Sequence, residues 1–194
     1  MYSTILKLRP IISLTDQQFV ALCQQNPDLK FERSSNGDLI IMPPTGGETG
    51  RRNSELNTDF NLWNRRTQLG VVFDSSTCFR LPNGALRSPD VAWVKRSTWE
   101  ALTPAEREKF PPLCPDFVLE LLSPSDALAA TQAKMREYLS CGTELGWLIN
   151  PIDQQVEIYR PDSPIEILNK PQTLNGDRLL PDLELNVAWL WGAN

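Results

Sequence analysis

The sequence predicts a mixed α/β sheet flanked by helices, laid out in layers as one domain. Three observations carry this. Hairpin-like strands come first in the chain, and a strand, helix, strand order follows in its middle. Between them, Phe117–Val118–Leu119–Glu120–Leu121–Leu122 is short and apolar enough for a strand buried on both faces. At 194 residues the chain suits one domain better than two, with a core over 28–170 and an apolar tail over 177–194.

The elements follow in order. Ser13 to Cys23 reads as an amphipathic helix that Ser13 or Thr15 can cap, with Pro27 after its end. Leu29 to Arg33 and Asp38 to Met42 read as strands joined at Ser35–Asn36–Gly37, because Asn-Gly is a strong hairpin signal. A Pro43–Gly47 loop leads into a helix over Glu48 to Gln68, where Leu56, Phe60 and Trp63 make one apolar face and Gly70 follows. Val71 to Asp74 and Thr77 to Leu81 read as strands around Ser75–Ser76, and Asn83–Gly84 as a turn. Val91 to Val94 is a strand, Lys95 to Leu102 a short helix, and Thr103 to Pro115 a surface loop with a helical turn. After the Glu120 strand, Ser123 to Asp126 caps a helix over Ala127 to Ser140, which Cys141–Gly142 closes. Gly146 to Asn150 and Gln155 to Arg160 form a hairpin, and Ile165 to Leu168 adds a short strand. The tail from Asp177 to Trp191 ends in a helical turn, and the six tryptophans read as core or interface residues.

Composition narrows the function classes. With 41% hydrophobic and 22% charged residues the chain reads as an ordinary globular protein. It has no apolar run of about 18 residues, so no transmembrane helix and no membrane partner are expected. Met1 to Ile12 carries Lys7, Arg9 and Pro10 and no long apolar segment, so a cytoplasmic location is expected. The net charge of −5 and pI of 4.9 argue against tight nonspecific nucleic-acid binding, though not against a local basic patch. The four cysteines are scattered and there is no histidine. A zinc site is therefore not expected, and Ser-His-Asp and Cys-His catalysis are excluded. Chemistry here must use carboxylates, lysines, hydroxyls or an oxygen-bound metal.

Glu120 needs a partner, because an ionised carboxylate inside an apolar strand costs several kcal/mol when unpaired. Asp90, at the start of the preceding strand, approaches it if the two strands are neighbours. Two close carboxylates repel unless a divalent cation such as Mg²⁺ lies between them. A salt bridge from Arg87 to Glu120 is the structural alternative. Lys134 is the further candidate partner. The strand runs roughly 7 Å past Glu120 and Lys134 lies about 10 Å along the following helix. Arg51, Arg52, Arg65 and Arg66 make the first long helix the most basic segment, and they become phosphate contacts only if they lie beside the acids.

Ser88–Pro89–Asp90 with Asp116–Phe117–Val118–Leu119–Glu120 resembles the PD-(D/E)XK nuclease pattern. The ordered set Ser88 to Asp90, Pro115 to Asp126, Lys134–Met135–Arg136–Glu137–Tyr138 and Gly146 to Pro151 resembles the Uma two family, bacterial proteins of restriction-endonuclease-like fold, from the Asp38–Pro44 strand to Trp191. In the plain pattern a lysine stands two residues after the acid, where this chain has Leu122. The resemblance implies that the lysine has migrated to Lys134. It implies a Mg²⁺-dependent endonuclease on DNA, with Mn²⁺ substituting, Asp90 and Glu120 as metal ligands and Lys134 as the catalytic cation. Glu55 on the first long helix and Gln132 beside Lys134 are additional candidates. It also implies a homodimer, with Leu183 to Trp191 and the hairpin near Gly146 apolar enough to form its interface. Alternatives are a catalytically inactive module of the same fold that binds DNA or protein, favoured by the acidic pI and Leu122, and a nuclease for RNA or branched DNA.

Overall fold

A computed structural model describes residues 3–192. In chain order the elements are β1 (Thr4–Leu6), α1 (Asp16–Gln25), β2 (Lys30–Arg33), β3 (Leu39–Met42), α2 (Gly47–Thr67), β4 (Gly70–Asp74), β5 (Phe79–Arg80), β6 (Leu86–Arg87) and β7 (Val91–Lys95). There follow α3 (Arg96–Glu100), α4 (Pro104–Arg107), β8 (Phe117–Leu121), α5 (Leu128–Ser140), β9 (Leu145–Asn150), β10 (Gln155–Tyr159), β11 (Glu166–Asn169), β12 (Thr173–Gly176) and β13 (Leu180–Asn186). A 3₁₀ turn over Ala188–Trp191 closes the described chain.

The main sheet has six strands in the order β11-β10-β9-β8-β7-β4, and a second has five in the order β1-β3-β2-β6-β5. The main sheet is antiparallel except where β8 runs parallel to β9. That parallel pair needs a crossover, and α5 supplies it. Side chains of β8 alternate between two cores. Phe117, Leu119 and Leu121 pack with Leu56, Phe60 and Trp63 of α2, while Val118 and Leu122 pack with Met135 and Tyr138 of α5. Glu120 therefore belongs to the α5 side. Phe60 stacks on Phe117 at 5.0 Å and meets Trp147 edge-on at 5.9 Å, which anchors α2 to the strand.

Local chemistry sets the ends of the elements. Thr15 and Gln18 make a capping box at the start of α1. Gln68, in a left-handed conformation (φ 59°), ends α2, and Arg65 and Arg66 lie favourably in its last turn. The Ser35–Asn36–Gly37 turn joins β2 to β3 as expected; the Ser34 carbonyl accepts from the Gly37 N–H, and Gly37 takes φ 88°.

The structure refines some sequence expectations and changes others. The two strands expected around Ser75–Ser76 form but lie in different sheets, β4 in the main one and β5 in the smaller one. Asp126 does not cap α5; its carboxylate turns back to the Ser123 N–H (2.8 Å), and Ala127 stands at the cap without a side-chain bond. The tail ends in a helical turn as expected, over Ala188–Trp191, but Leu180–Asn186 adds a strand, β13, that pairs with β12 just ahead of the tail. Its Leu183, Leu185, Leu190 and Trp191 are buried with α2 in this chain's own core, and Trp63 Nε1 donates to the Pro181 carbonyl (2.9 Å). The apolar residues near Gly146 are buried likewise.

Gly70 marks the tightest approach. A Cβ there would lie 2.2 Å from the Val94 carbonyl oxygen and 2.5 Å from the Trp93 ring. At Gly146 the obstacle is the flexible Met135 methyl at 2.6 Å. Gly70→Ala is therefore expected to lose about 2–3 kcal/mol in urea unfolding, and Gly146→Ala distinctly less, because only the second neighbour can move aside.

Candidate active site

Asp90 and Glu120 come together through strand register. Val91 of β7 pairs with Leu119 of β8, so Asp90 stands opposite Glu120 one step beyond the ladder. There the Asp90 carboxylate takes over the ladder's role. Its Oδ2 accepts from the Leu121 N–H (2.8 Å) and its Oδ1 from Asn53 Nδ2 of α2 (3.0 Å). Asn57, one turn later, donates to the Asp90 main-chain carbonyl (3.0 Å).

Lys134 and Tyr138 are four residues apart on α5 and so face the sheet together. Lys134 Nζ reaches Glu120 Oε1 at 2.8 Å, and the Tyr138 hydroxyl donates to the same oxygen at 3.0 Å. The sequence and the resemblance thus named three residues that do converge. The Arg87–Glu120 salt bridge does not form; Arg87 binds Glu32 (3.0 Å) and Glu137 (2.6 Å) instead. Leu122 is buried among apolar side chains on the α5 side, and its N–H bonds the Ile149 carbonyl.

Two additional candidates lie elsewhere. Glu55 is exposed on α2, off the face that carries Asn53 and Asn57 to Asp90. Gln132 donates to Glu157 on β10 (2.7 Å) rather than to Glu120. Of the four arginines, Arg51 and Arg52 pair with Glu48, and Arg66 meets the Asp182 carbonyl. Arg65 lines a groove of about 590 Å³ whose walls include Asn53, Asn57, Thr58 and Asn61.

Sequence reading missed Glu32, Asn53 and Asn57. Glu32 lies on β2 in the smaller sheet and is only 2% exposed. Its Oε1 accepts from Lys134 (2.9 Å) and from the Ser88 N–H (2.9 Å). Within Lys30–Phe31–Glu32–Arg33 an acid flanked by basic residues looks like an exposed strand position, and nothing local marks it as buried. The Asn53–Asn57 spacing of one helical turn was the available signal on α2.

Among the described residues Glu32, Asp90, Glu120 and Glu137 face two cations, Lys134 and Arg87, so the cluster carries an excess of negative charge when all are ionised. Burial, together with Asp90 and Glu32 and against Lys134, pushes the Glu120 carboxyl up to about 7. Burial also raises Asp90, although the Leu121 N–H opposes it. Burial penalises Glu32 too, but Lys134 and Arg87 outweigh it and hold Glu32 below the ordinary carboxylate range. The Lys134 ammonium is kept charged, with Glu120 and Glu32 overcoming its burial.

A pH dependence of stability follows. Glu120 binds its proton more tightly folded than unfolded, so its contribution is fully present below about pH 4.5 and is lost as pH rises through about 7. Glu120→Gln cannot titrate. Its stability relative to the native chain is expected to rise by up to about 3 kcal/mol between pH 5 and pH 8 in urea titrations.

The chain, with its mixed sheets flanked by helices, has a nuclease-like fold. It is similar to a crystal structure described as a putative nuclease belonging to DUF820 from Anabaena variabilis ATCC 29413, with a TM-score of 0.75 and 22% identity, covering 92% of this chain and 97% of that one. The chain belongs to the Uma2 family, described as "Putative restriction endonuclease", whose pattern matches residues 16–188. No curated protein matches it. Among the described residues no helix is long and apolar enough to cross a membrane.

Proposed function

We propose that the protein is a Mg²⁺-dependent endonuclease that hydrolyses phosphodiester bonds of DNA, with Mn²⁺ able to replace Mg²⁺. The observation that carries this reading is the convergence of Lys134, Glu120 and Asp90 at the open end of the β7–β8 ladder.

The donor set fits a divalent cation. Glu120 Oε2 has no hydrogen bond among the described residues, and each Asp90 oxygen accepts only one. Asn53 Oδ1 and Asn57 Oδ1 are buried beside Asp90 without a partner, and both are acceptors suited to the water around a cation. Among the described residues no three His, Cys, Asp or Glu side chains form a metal-holding group. Two carboxylates, with water and phosphate oxygens, match the way Mg²⁺ is commonly held. Asp90 and Glu120 would hold the ion, which when bound lowers the pKa of water and stabilises charge on the phosphate.

The chain's own residues supply the rest. Lys134 places a fixed positive charge at Glu120, where it orients the attacking water and offsets charge developing on the phosphoryl oxygens. Asn53 and the Leu121 N–H hold the Asp90 carboxylate in one orientation. The groove beside Asn53 and Asn57, with Arg65 exposed in its wall, gives a nucleic-acid strand a polar track to Asp90. Arg65→Ala is expected to weaken DNA binding uniformly across sequences and to reduce the salt slope of log K by about 1 in fluorescence-anisotropy titrations.

The direct test is nicking of supercoiled plasmid in Mg²⁺ by the native chain and by Asp90→Ala. Loss of nicking in a folded Asp90→Ala supports the reading, and undiminished nicking removes it. One observation favours the second reading, a non-catalytic binding module: Glu120 Oε1 is already satisfied by Lys134 and Tyr138 without any metal. A folded native chain that cleaves no nucleic acid with Mg²⁺ or Mn²⁺ but still binds DNA would establish that alternative.

A further inference from the structure

Glu32 comes from a different sheet than Glu120, yet both grip the same ammonium. Lys134 Nζ lies 2.9 Å from Glu32 Oε1 and 2.8 Å from Glu120 Oε1. A lysine side chain is flexible and gives up about 2 kcal/mol of rotamer entropy when fixed, so contact with Glu120 alone is a weak constraint on its direction. A second carboxylate removes that freedom. Glu32 is itself held from two further directions. The Ser88 N–H donates to Oε1 (2.9 Å) and Arg87 donates to Oε2 (3.0 Å). Arg87 in turn donates through Nε to Glu137 (2.6 Å), which lies on α5 three residues from Lys134. The contacts form a closed ring, from Lys134 to Glu32 on β2, to Arg87 on β6, to Glu137, and back along α5.

This ring has a job that the stability of the chain does not by itself require. A buried ion-pair network is often no more stabilising than an apolar replacement. What it does supply is a defined position for a charged group. The position matters here because the lysine of this chain is carried by a helix and not by the Glu120 strand, so the strand's geometry cannot aim it.

We propose that Glu32 is a positioning residue for Lys134: from the smaller sheet it fixes the ammonium beside Glu120, and the Arg87–Glu137 pair fixes Glu32. The inference rests on reading Asp90, Glu120 and Lys134 as the reacting centre, but its test does not need catalysis. In ¹⁵N-labelled protein the Lys134 ammonium, assigned by its disappearance in Lys134→Arg, is expected to give a signal protected from exchange. In Glu32→Gln, where an amide N–H meets either Arg87 or Lys134, exchange of that ammonium is expected to accelerate by about tenfold or more. In Phe19→Leu, a cavity variant in the core that α1 shares with the smaller sheet, exchange is expected to stay at the native rate. Glu32→Asp keeps the charge but withdraws it by one methylene, and serves the same comparison if Glu32→Gln does not fold. In cleavage assays the Glu32 variants are expected to lose about tenfold in kcat with KM unchanged. Native exchange rates at Lys134 in the Glu32 variants, or equal acceleration in Phe19→Leu, overturn the proposal. If exchange responds as expected while no variant and no native chain cleaves DNA, the positioning role stands and the nuclease reading fails.

Discussion

Glu120→Gln is expected to lose Mg²⁺-dependent cleavage by about a thousandfold or more, while remaining folded and at least as stable as the native chain at pH 8. The two halves of this expectation come from the same environment. Glu120 is buried beside Asp90 and Glu32, so its charge is costly to the folded chain and available to a cation. A glutamine at this position keeps an oxygen for Lys134 and Tyr138 but cannot bring negative charge to a metal. Removing one preorganised electrostatic contributor in an active site commonly costs about 10²–10³ in rate, and losing the ion costs more because nothing else acidifies the water. Plasmid nicking measures the first half, and urea unfolding across pH measures the second. A purely structural Glu120 would give the stability change without any change in cleavage.

Lys134→Met is expected to be the most destabilising of the site substitutions. It leaves Glu32 with Arg87 and the Ser88 N–H, but leaves Glu120 with only the Tyr138 hydroxyl. Removing one partner of a buried ion pair typically costs about 3–5 kcal/mol, chiefly from the carboxylate left behind. Glu120 can escape that cost by taking up a proton. The loss is therefore expected to be larger at pH 8 than at pH 5, and thermal or urea unfolding at the two values checks it. Cleavage should fall with it, and supplying Mg²⁺ in excess should restore stability before activity, because the ion replaces Lys134 as a counter-charge but not as an aimed donor. A loss independent of pH would show that Lys134 acts through packing of its methylene stem.

Much of this arrangement was legible in the sequence, and the limits have physical causes. The apolar run around Glu120 identified the buried strand, and alternation along it fixes which helix Glu120 must face. The i, i+4, i+7 spacing of Leu56, Phe60 and Trp63 identified α2 and its buried face. Asp90 and Glu120 were named as a pair because each marks a strand in a β-rich order. That Lys134 belongs with them came from resemblance, since reach along a helix does not specify direction. Glu32 was invisible for a different reason. Its burial depends on the smaller sheet packing against α5, a contact between segments about a hundred residues apart that no local periodicity encodes. The turn at Ser75–Ser76 shows the same limit, as turn residues announce a reversal without saying whether the next strand returns to the same sheet. The hairpin's own turn signal, Asn175–Gly176, stands just ahead of the segment read as the tail, and apolar side chains suited to an interface are equally suited to covering α2.

The most direct measurement is a calorimetric titration of the native chain, Asp90→Asn and Glu120→Gln with Mn²⁺ at pH 7.5. The account requires saturable binding to the native chain, lost or greatly weakened in both variants while their folds remain intact. Binding that survives unchanged in both would show that the metal, and with it the proposed hydrolysis, does not depend on the acids at the end of the β7–β8 ladder.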